Sequence, residues 1–186
     1  MRHLVITIGC EYGAKGNAIG RKIAEDLNIK FYNRDLVDEI IEEVGIPKEI
    51  MEKVEEGGTI AGKGAEGDVR GSFSKYADLT DRAIHVQKQI IRKLAEKESC
   101  VIIGRSADYI LKDRDDVLNV FIHGDMPEKT QRIMNLYNVG DKEAVRMMAD
   151  TDKRRMTNYN FYTEQKWGKA SNYTLSLNSS QLGYDR

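Results

Sequence analysis

Apolar and β-branched residues run together from His3 to Ile8 and stop at Gly9, the pattern of a short buried strand entering a turn. Beyond the glycine-rich turn, Ile19, Ile23 and Leu27 recur at four-residue spacing, which predicts a helix over 18–27 with that face inward. A second short strand is expected over Ile29–Tyr32 and a second helix over Asp35–Glu43, with Pro47 marking a break or a new helix start. Between Gly57 and Gly71 the periodicity lapses, and Gly57, Gly58, Gly62, Gly64, Gly67 and Gly71 lie among small and charged residues. Such a stretch buries little; it reads either as a plain loop or as a flexible arm that closes over a ligand. Periodicity resumes in a long helix over 79–98, with Ile84, Ile91, Leu94 and Ala95 facing inward.

The second half repeats the alternation. Cys100–Ile103 is apolar throughout, as in a strand covered on both faces, and Gly104 and Arg105 follow at its C-terminal end. Val117–Ile122 predicts another strand, Pro127 opens a helix reaching Leu136, and Asp141 is placed to cap a charged helix that runs through Arg155. Tyr173–Leu177 makes the last strand. Strands alternating with helices predict an α/β fold: a parallel sheet with helices on both faces. Ligands in such folds bind beyond the carboxyl ends of the strands, so the segments after Ile8 and Ile103 become the places to look.

Composition narrows the classes. The 186 residues carry 29 Lys+Arg against 30 Asp+Glu, a net charge of -1, which argues against a general nucleic-acid binder or a polybasic membrane-surface protein. No apolar run approaches the roughly 20 residues that span a bilayer, and Leu4–Ile8 is too short for the core of a signal peptide. Cys10 and Cys100 have neither disulfide-framework nor metal-ligand spacing, and two reduced thiols in a cytoplasmic protein is the expectation. His3, His85 and His123 are scattered without ligand spacing.

Three segments carry candidate chemistry. The first is Gly9-Cys10-Glu11-Tyr12-Gly13-Ala14-Lys15-Gly16-Asn17, between the first strand and its helix. A loop of this kind offers backbone N–H groups to phosphate oxygens, the helix N-terminus adds partial positive charge, and a lysine supplies a full one. Gly9 to Lys15 has the spacing G-x-x-x-x-G-K, with Ala14 in place of the glycine before the lysine and Gly16 in place of the hydroxyl residue after it. The second is Gly104-Arg105-Ser106, where an arginine at a strand end suits bidentate phosphate binding or, equally, a structural salt bridge. The third is Asp152-Lys153-Arg154-Arg155: adjacent arginines on a helix point apart, so one of the two at most is expected in a site, and a solvated charged face is the alternative. A phosphate loop with separated arginines fits phosphoryl transfer, which needs charge stabilisation more than covalent chemistry. Most of Tyr12, Tyr32, Tyr159, Tyr162 and Trp167 are expected in packing roles, and Met147, Met148 and Met156 as core filler.

On Ile6–Ala24, Phe31–Leu36, Val101–Leu111, Val117–Ile122, Thr151–Arg155 and Tyr162–Leu182, the chain resembles the cytidylate kinase-like family of P-loop nucleoside monophosphate kinases. The resemblance implies a P-loop NTPase-like three-layer core, a mobile acceptor-binding arm at about 33–78 and a helical lid at about 141–168. It implies ATP as donor, Mg²⁺ as its companion ion and a nucleoside monophosphate, CMP or dCMP, as acceptor. Gly13, Ala14, Lys15, Gly16, Asn17 and Ala18 then line the donor phosphates. Lys15 and Arg155 take the catalytic roles. Arg105 lies at the acceptor, Asp152 helps to recognise the cytosine ring, and Arg155 meets the acceptor phosphate. Asn178-Ser179-Ser180 falls near the donor base. A second register, set by the helix Ile19–Ala24, puts Gly16 at the lysine position and Ala18 at the metal-binding hydroxyl. With Asn17 or Ala18 at that position no loop hydroxyl reaches Mg²⁺, and Asp108 is a candidate instead. Three readings follow: a CMP/dCMP kinase, a non-catalytic nucleotide-binding protein on the same fold, or a P-loop kinase for another small acceptor.

Overall fold

The computed structural model describes residues 3–47, 49–51 and 70–183, with side chains from residue 79 onward in the last segment. The proposed arm at Gly57–Gly71 therefore lies almost wholly outside the described residues. The elements are β1 (Val5–Cys10), α1 (Gly16–Leu27), β2 (Lys30–Tyr32), α2 (Arg34–Glu43), α3 (Arg70–Lys97), β3 (Cys100–Ile103), α4 (Ala107–Ile110), β4 (Val117–His123), α5 (Met126–Tyr137), α6 (Asp141–Thr163), β5 (Leu175–Asn178) and α7 (Ser179–Leu182). The strands form one parallel sheet in the order β2-β3-β1-β4-β5. The expected α/β class and the parallel sheet are therefore present.

Alternation along the central strands explains why they read as unbroken apolar runs. Val5, Cys100 and Ile102 face a core shared with α2, α3 and α4, while Ile6, Ile8, Val101 and Ile103 face α1 on the other side. Both faces are covered, so both sets of side chains must be apolar. The long helix begins at Arg70, well before the expected 79, and its predicted inward residues Ile84, Ile91 and Ala95 are buried.

Some expectations are corrected. In α1 the buried face is Gly16, Gly20 and Ala24, whereas Leu27 is 39 % exposed. Close approach of helix and sheet decides this: a Cβ on Gly20 would stand 2.6 Å from Ile103 Cδ1, so the larger Ile19 and Ile23 are displaced to the flanks. Asp141 is the first residue of α6 rather than its cap, which is Gly140. Met148 is buried and Met147 packs beside it, but Met156 is 43 % exposed. Trp167, expected in a packing role, meets both neighbours: its ring stands edge-on to Phe121 of β4, with centroids 5.3 Å apart, and its backbone N–H donates to Asn160 Oδ1 of α6 at 2.7 Å.

Candidate active site

The β1–α1 loop is shaped by its backbone. Gly13 takes φ +85°, and Lys15, the residue preceding the first turn of α1, is left-handed at φ +62°. Gly16 opens the helix over Cys10: a Cβ there would lie 2.5 Å from Cys10 Sγ and 2.6 Å from Cys10 Cβ. Gly16 is where the lysine of the helix-set register would fall, and no side chain fits. The loop's ammonium group is on Lys15, one residue earlier. Ala14 is buried, its N–H bonded to the Glu11 carbonyl at 3.2 Å, and Asn17 is exposed at the rim of the cavity described below.

Side chains from the later helices hold this loop. Tyr12 N–H donates to Asp152 Oδ1 at 2.8 Å, and Arg155 Nη1 donates to the Cys10 carbonyl at 2.9 Å while standing 3.6 Å from Asp152. The Arg155 guanidinium also lies 5.4 Å from the Tyr12 ring centroid. Arg132 donates to the Gly13 carbonyl, and Lys129 Nζ reaches Glu11 Oε2 at 2.6 Å. Burial raises the Asp152 carboxyl above its ordinary range; the Tyr12 N–H and then Arg155 oppose the shift. Asp152 and Arg155 therefore fasten α6 to the loop. Asp152, expected near a base, has its Oδ1 on a backbone N–H and is not part of the cavity wall.

Beside the loop, at the ends of β1 and β3, a cavity of about 380 Å³ opens between α3 and α6. Gly104, Arg105 and Ser106 all adopt positive φ, 68°, 57° and 52°. Each left-handed non-glycine residue costs on the order of 1–2 kcal/mol, and such conformations collect where a site over-determines them. This turn sends the Arg105 side chain, 4 % exposed, onto Asp38 of α2, whose side chain is 10 % exposed. Arg34, one turn earlier on α2, stands 3.9 Å from the same carboxylate. Burial, then the charges of Arg105 and, more weakly, Arg155, lowers the Arg34 pKa, so the three guanidinium groups share one field. All three line the cavity. Burial raises Asp38, with Arg105 opposing.

Arg105 and Arg155, far apart in sequence, are thus brought to one cavity. Arg154 lines it too, against the expectation that one of the pair would point away. The reason is that α6 lies along the cavity from Thr151 to Thr163, and Arg154 folds back toward Thr151 Oγ1 at 3.3 Å. Arg34 was not singled out from sequence; its signal was its i, i+4 spacing to Asp38 inside Phe31–Leu36 and the following turn. Asp108 lines the cavity but is buried, accepts from the Tyr159 hydroxyl at 2.6 Å, and has its pKa raised by that burial. At the far end of the sheet, Asn178 Oδ1 caps α7 and Asn178 Nδ2 donates to Asp125 Oδ1 at 2.9 Å, while Asp125 N–H donates to Ser180 Oγ at 2.9 Å.

A parallel five-stranded sheet with a glycine-rich loop leading from its central strand into a helix defines a P-loop kinase fold. The model of the cytidylate kinase-like family matches residues 5–181, and the chain belongs to that family. An uncharacterised protein from Eubacterium ventriosum ATCC 27560 is 31 % identical, covering 98 % of this chain and 92 % of its own, with a TM-score of 0.75. Shikimate kinase from Bacteroides thetaiotaomicron shares the fold at 16 % identity, covering 94 % of this chain and 86 % of its own, with a TM-score of 0.52. TT1252 from Thermus thermophilus does so at 14 % identity, covering 96 % of this chain and 89 % of its own, also with a TM-score of 0.52. No curated protein matches the chain significantly. Family and fold together support a phosphotransferase class. Among the described residues no helix is long and apolar enough to cross a membrane.

Proposed function

We propose that this protein is a nucleoside monophosphate kinase, transferring the γ-phosphoryl group of ATP to CMP or dCMP. The observation that carries the reading is the cavity at the ends of β1 and β3, where Arg34, Arg105 and Arg155 converge beside the β1–α1 loop. An acceptor phosphate oxygen attacks the γ-phosphorus, and the bond from that phosphorus to the β–γ bridging oxygen breaks, releasing ADP and the nucleoside diphosphate. The protein's part is to hold both phosphate groups and to spread positive charge over the transferring one. Arg155 spans the loop and the cavity, so it serves the phosphoryl group in flight. Arg105 and Arg34 hold the acceptor, and Lys15 and the N–H groups at the start of α1 serve the donor.

The family implies Mg²⁺ alongside ATP, and the residues here do not build a site for it. Asn17 and Ala18 bring no hydroxyl, Asp108 is tied to Tyr159, and no group of three or more His, Cys, Asp or Glu that could hold a metal is present among the described residues. The closed position at Gly16 favours a second reading, a nucleotide-binding protein that turns over slowly or not at all.

A coupled assay of ADP release over a panel of nucleoside monophosphates, beside a thermal-shift series with the same ligands, separates the two. CMP or dCMP turnover, lost by orders of magnitude in Arg155→Met, is the expected result. Binding without turnover supports the second reading, and neither binding nor turnover sinks both.

A further inference from the structure

We propose that Gln87 selects the acceptor by its base: the side-chain oxygen takes a hydrogen bond from an amino group, holding an amino-bearing pyrimidine and rejecting a keto one. The inference rests on the acceptor-nucleotide reading above and names the residue that would read the base.

Gln87 lies on α3 and lines the cavity, and it is 8 % exposed. Its Nε2 donates to the backbone carbonyl of Arg105 at 3.2 Å. A carbonyl cannot donate, so this bond fixes which end of the amide is nitrogen and which is oxygen. Oε1 is left buried with no hydrogen-bond partner. An unsatisfied buried acceptor is costly, and a buried polar group of this kind is the feature that rejects a ligand lacking the complementary donor. The side chains around it fix the kind of donor. Ile84, one turn earlier on α3, and Tyr162 of α6 also line the cavity and offer apolar surface to a flat ring. Lys88, the next residue on α3, and Arg105 stand beside Gln87 in the wall, but the Arg105 guanidinium is held on Asp38, and Arg155 lies against the loop that would present the donor. An acceptor oriented with its phosphate there brings its base, not its phosphate, to Gln87. A 4-amino group satisfies Oε1, whereas a 4-keto oxygen sets two acceptors against each other. Asp152, the carboxylate expected to help recognise the base, has its Oδ1 engaged with the Tyr12 N–H.

The test compares CMP, UMP and the 4-desamino analogue, 2-pyrimidinone riboside monophosphate, by kcat/KM and by Kd in wild type and in Gln87→Met. Wild type should favour CMP over both others by about tenfold or more. In Gln87→Met the CMP value should fall by about that factor and the other two by less than about threefold, so that the preference collapses. A preference unchanged in Gln87→Met overturns the proposal. So does a wild-type ratio near one, which needs no variant and holds even if the variant fails to fold. Binding of no nucleoside monophosphate by wild type removes the acceptor-nucleotide reading and this inference together, whereas binding without the preference removes this inference alone.

Discussion

At the β1–α1 junction the shape is made by backbone, with Gly13 and Lys15 at positive φ and Gly16 pressed onto Cys10. Glu11, Tyr12 and Lys15 stand on the loop itself, and Lys129, Arg132, Asp152 and Arg155 of α5 and α6 hold it in place. At the β3–α4 turn the chain also strains through positive φ, but it does so to deliver a side chain: Arg105 goes into the core and joins Arg34 over Asp38. One side of the cleft is shaped by its backbone, and the other is concentrated charge. Close packing at Gly16 and Gly20 constrains the path of the loop independently of any phosphate.

The acceptor side is the easier one to break. Arg105 and Asp38 are both largely buried, and removing one partner of a buried pair costs up to about 3–5 kcal/mol; here Arg34, 3.9 Å from Asp38, remains to offset part of the stranded charge. Arg105→Met should lower unfolding stability by up to that amount in urea titrations. Adding Asp38→Leu should recover most of it, because the stranded carboxylate goes too. Additive losses in the double variant would mean that the pair does not act as a unit and that the charge on this side is dispersed.

The donor side should break sterically. Gly16→Ala adds a Cβ 2.5 Å from Cys10 Sγ, and overpacking of this kind costs about 1–3 kcal/mol, outweighing the better helix propensity of alanine. Gly104→Ala, where no atom lies within 4 Å but φ is +68°, should cost about 1 kcal/mol from backbone strain alone. Equal losses at the two glycines, or none at Gly16, would erase the distinction between a packed loop and a strained turn.

The same contrast explains what could be read from the chain. Strands β1 and β3 were legible because a strand buried on both faces is apolar at every position. Arg105 was legible as a charge standing where a core strand ends. Arg34 and Gln87 were not, because their roles arise from long-range pairing across α2, α3 and the β3–α4 turn, and nothing local distinguishes them from solvated helix residues. Asp152 was legible as a site candidate on α6 but its bond from the Tyr12 N–H was not, since spacing along α6 carries no information about which backbone N–H its carboxylate meets. Leu27 was placed inward on periodicity, and the close helix–sheet approach permitted by Gly16 and Gly20 rotated that face away.

At Lys15 backbone and charge can be separated at one residue. At φ +62° any residue with a Cβ is strained, and glycine is not. Lys15→Ala removes the ammonium and keeps the strain; Lys15→Gly removes both. Chemical denaturation should therefore find Lys15→Gly more stable than Lys15→Ala by about 1 kcal/mol, the cost of a left-handed alanine. The two variants should share the same activity, since both lack the charge. If Lys15 serves the donor phosphates, ADP release falls in both by orders of magnitude, and the more stable glycine variant falls as far as the alanine one. Loss of activity that tracked stability instead, with Lys15→Gly active and Lys15→Ala not, would make the residue a backbone element only. Wild-type rates in both variants would move the donor-side charge to Arg155 and Lys129, whose side chains reach the loop from α6 and α5, and would leave the β1–α1 junction as geometry alone.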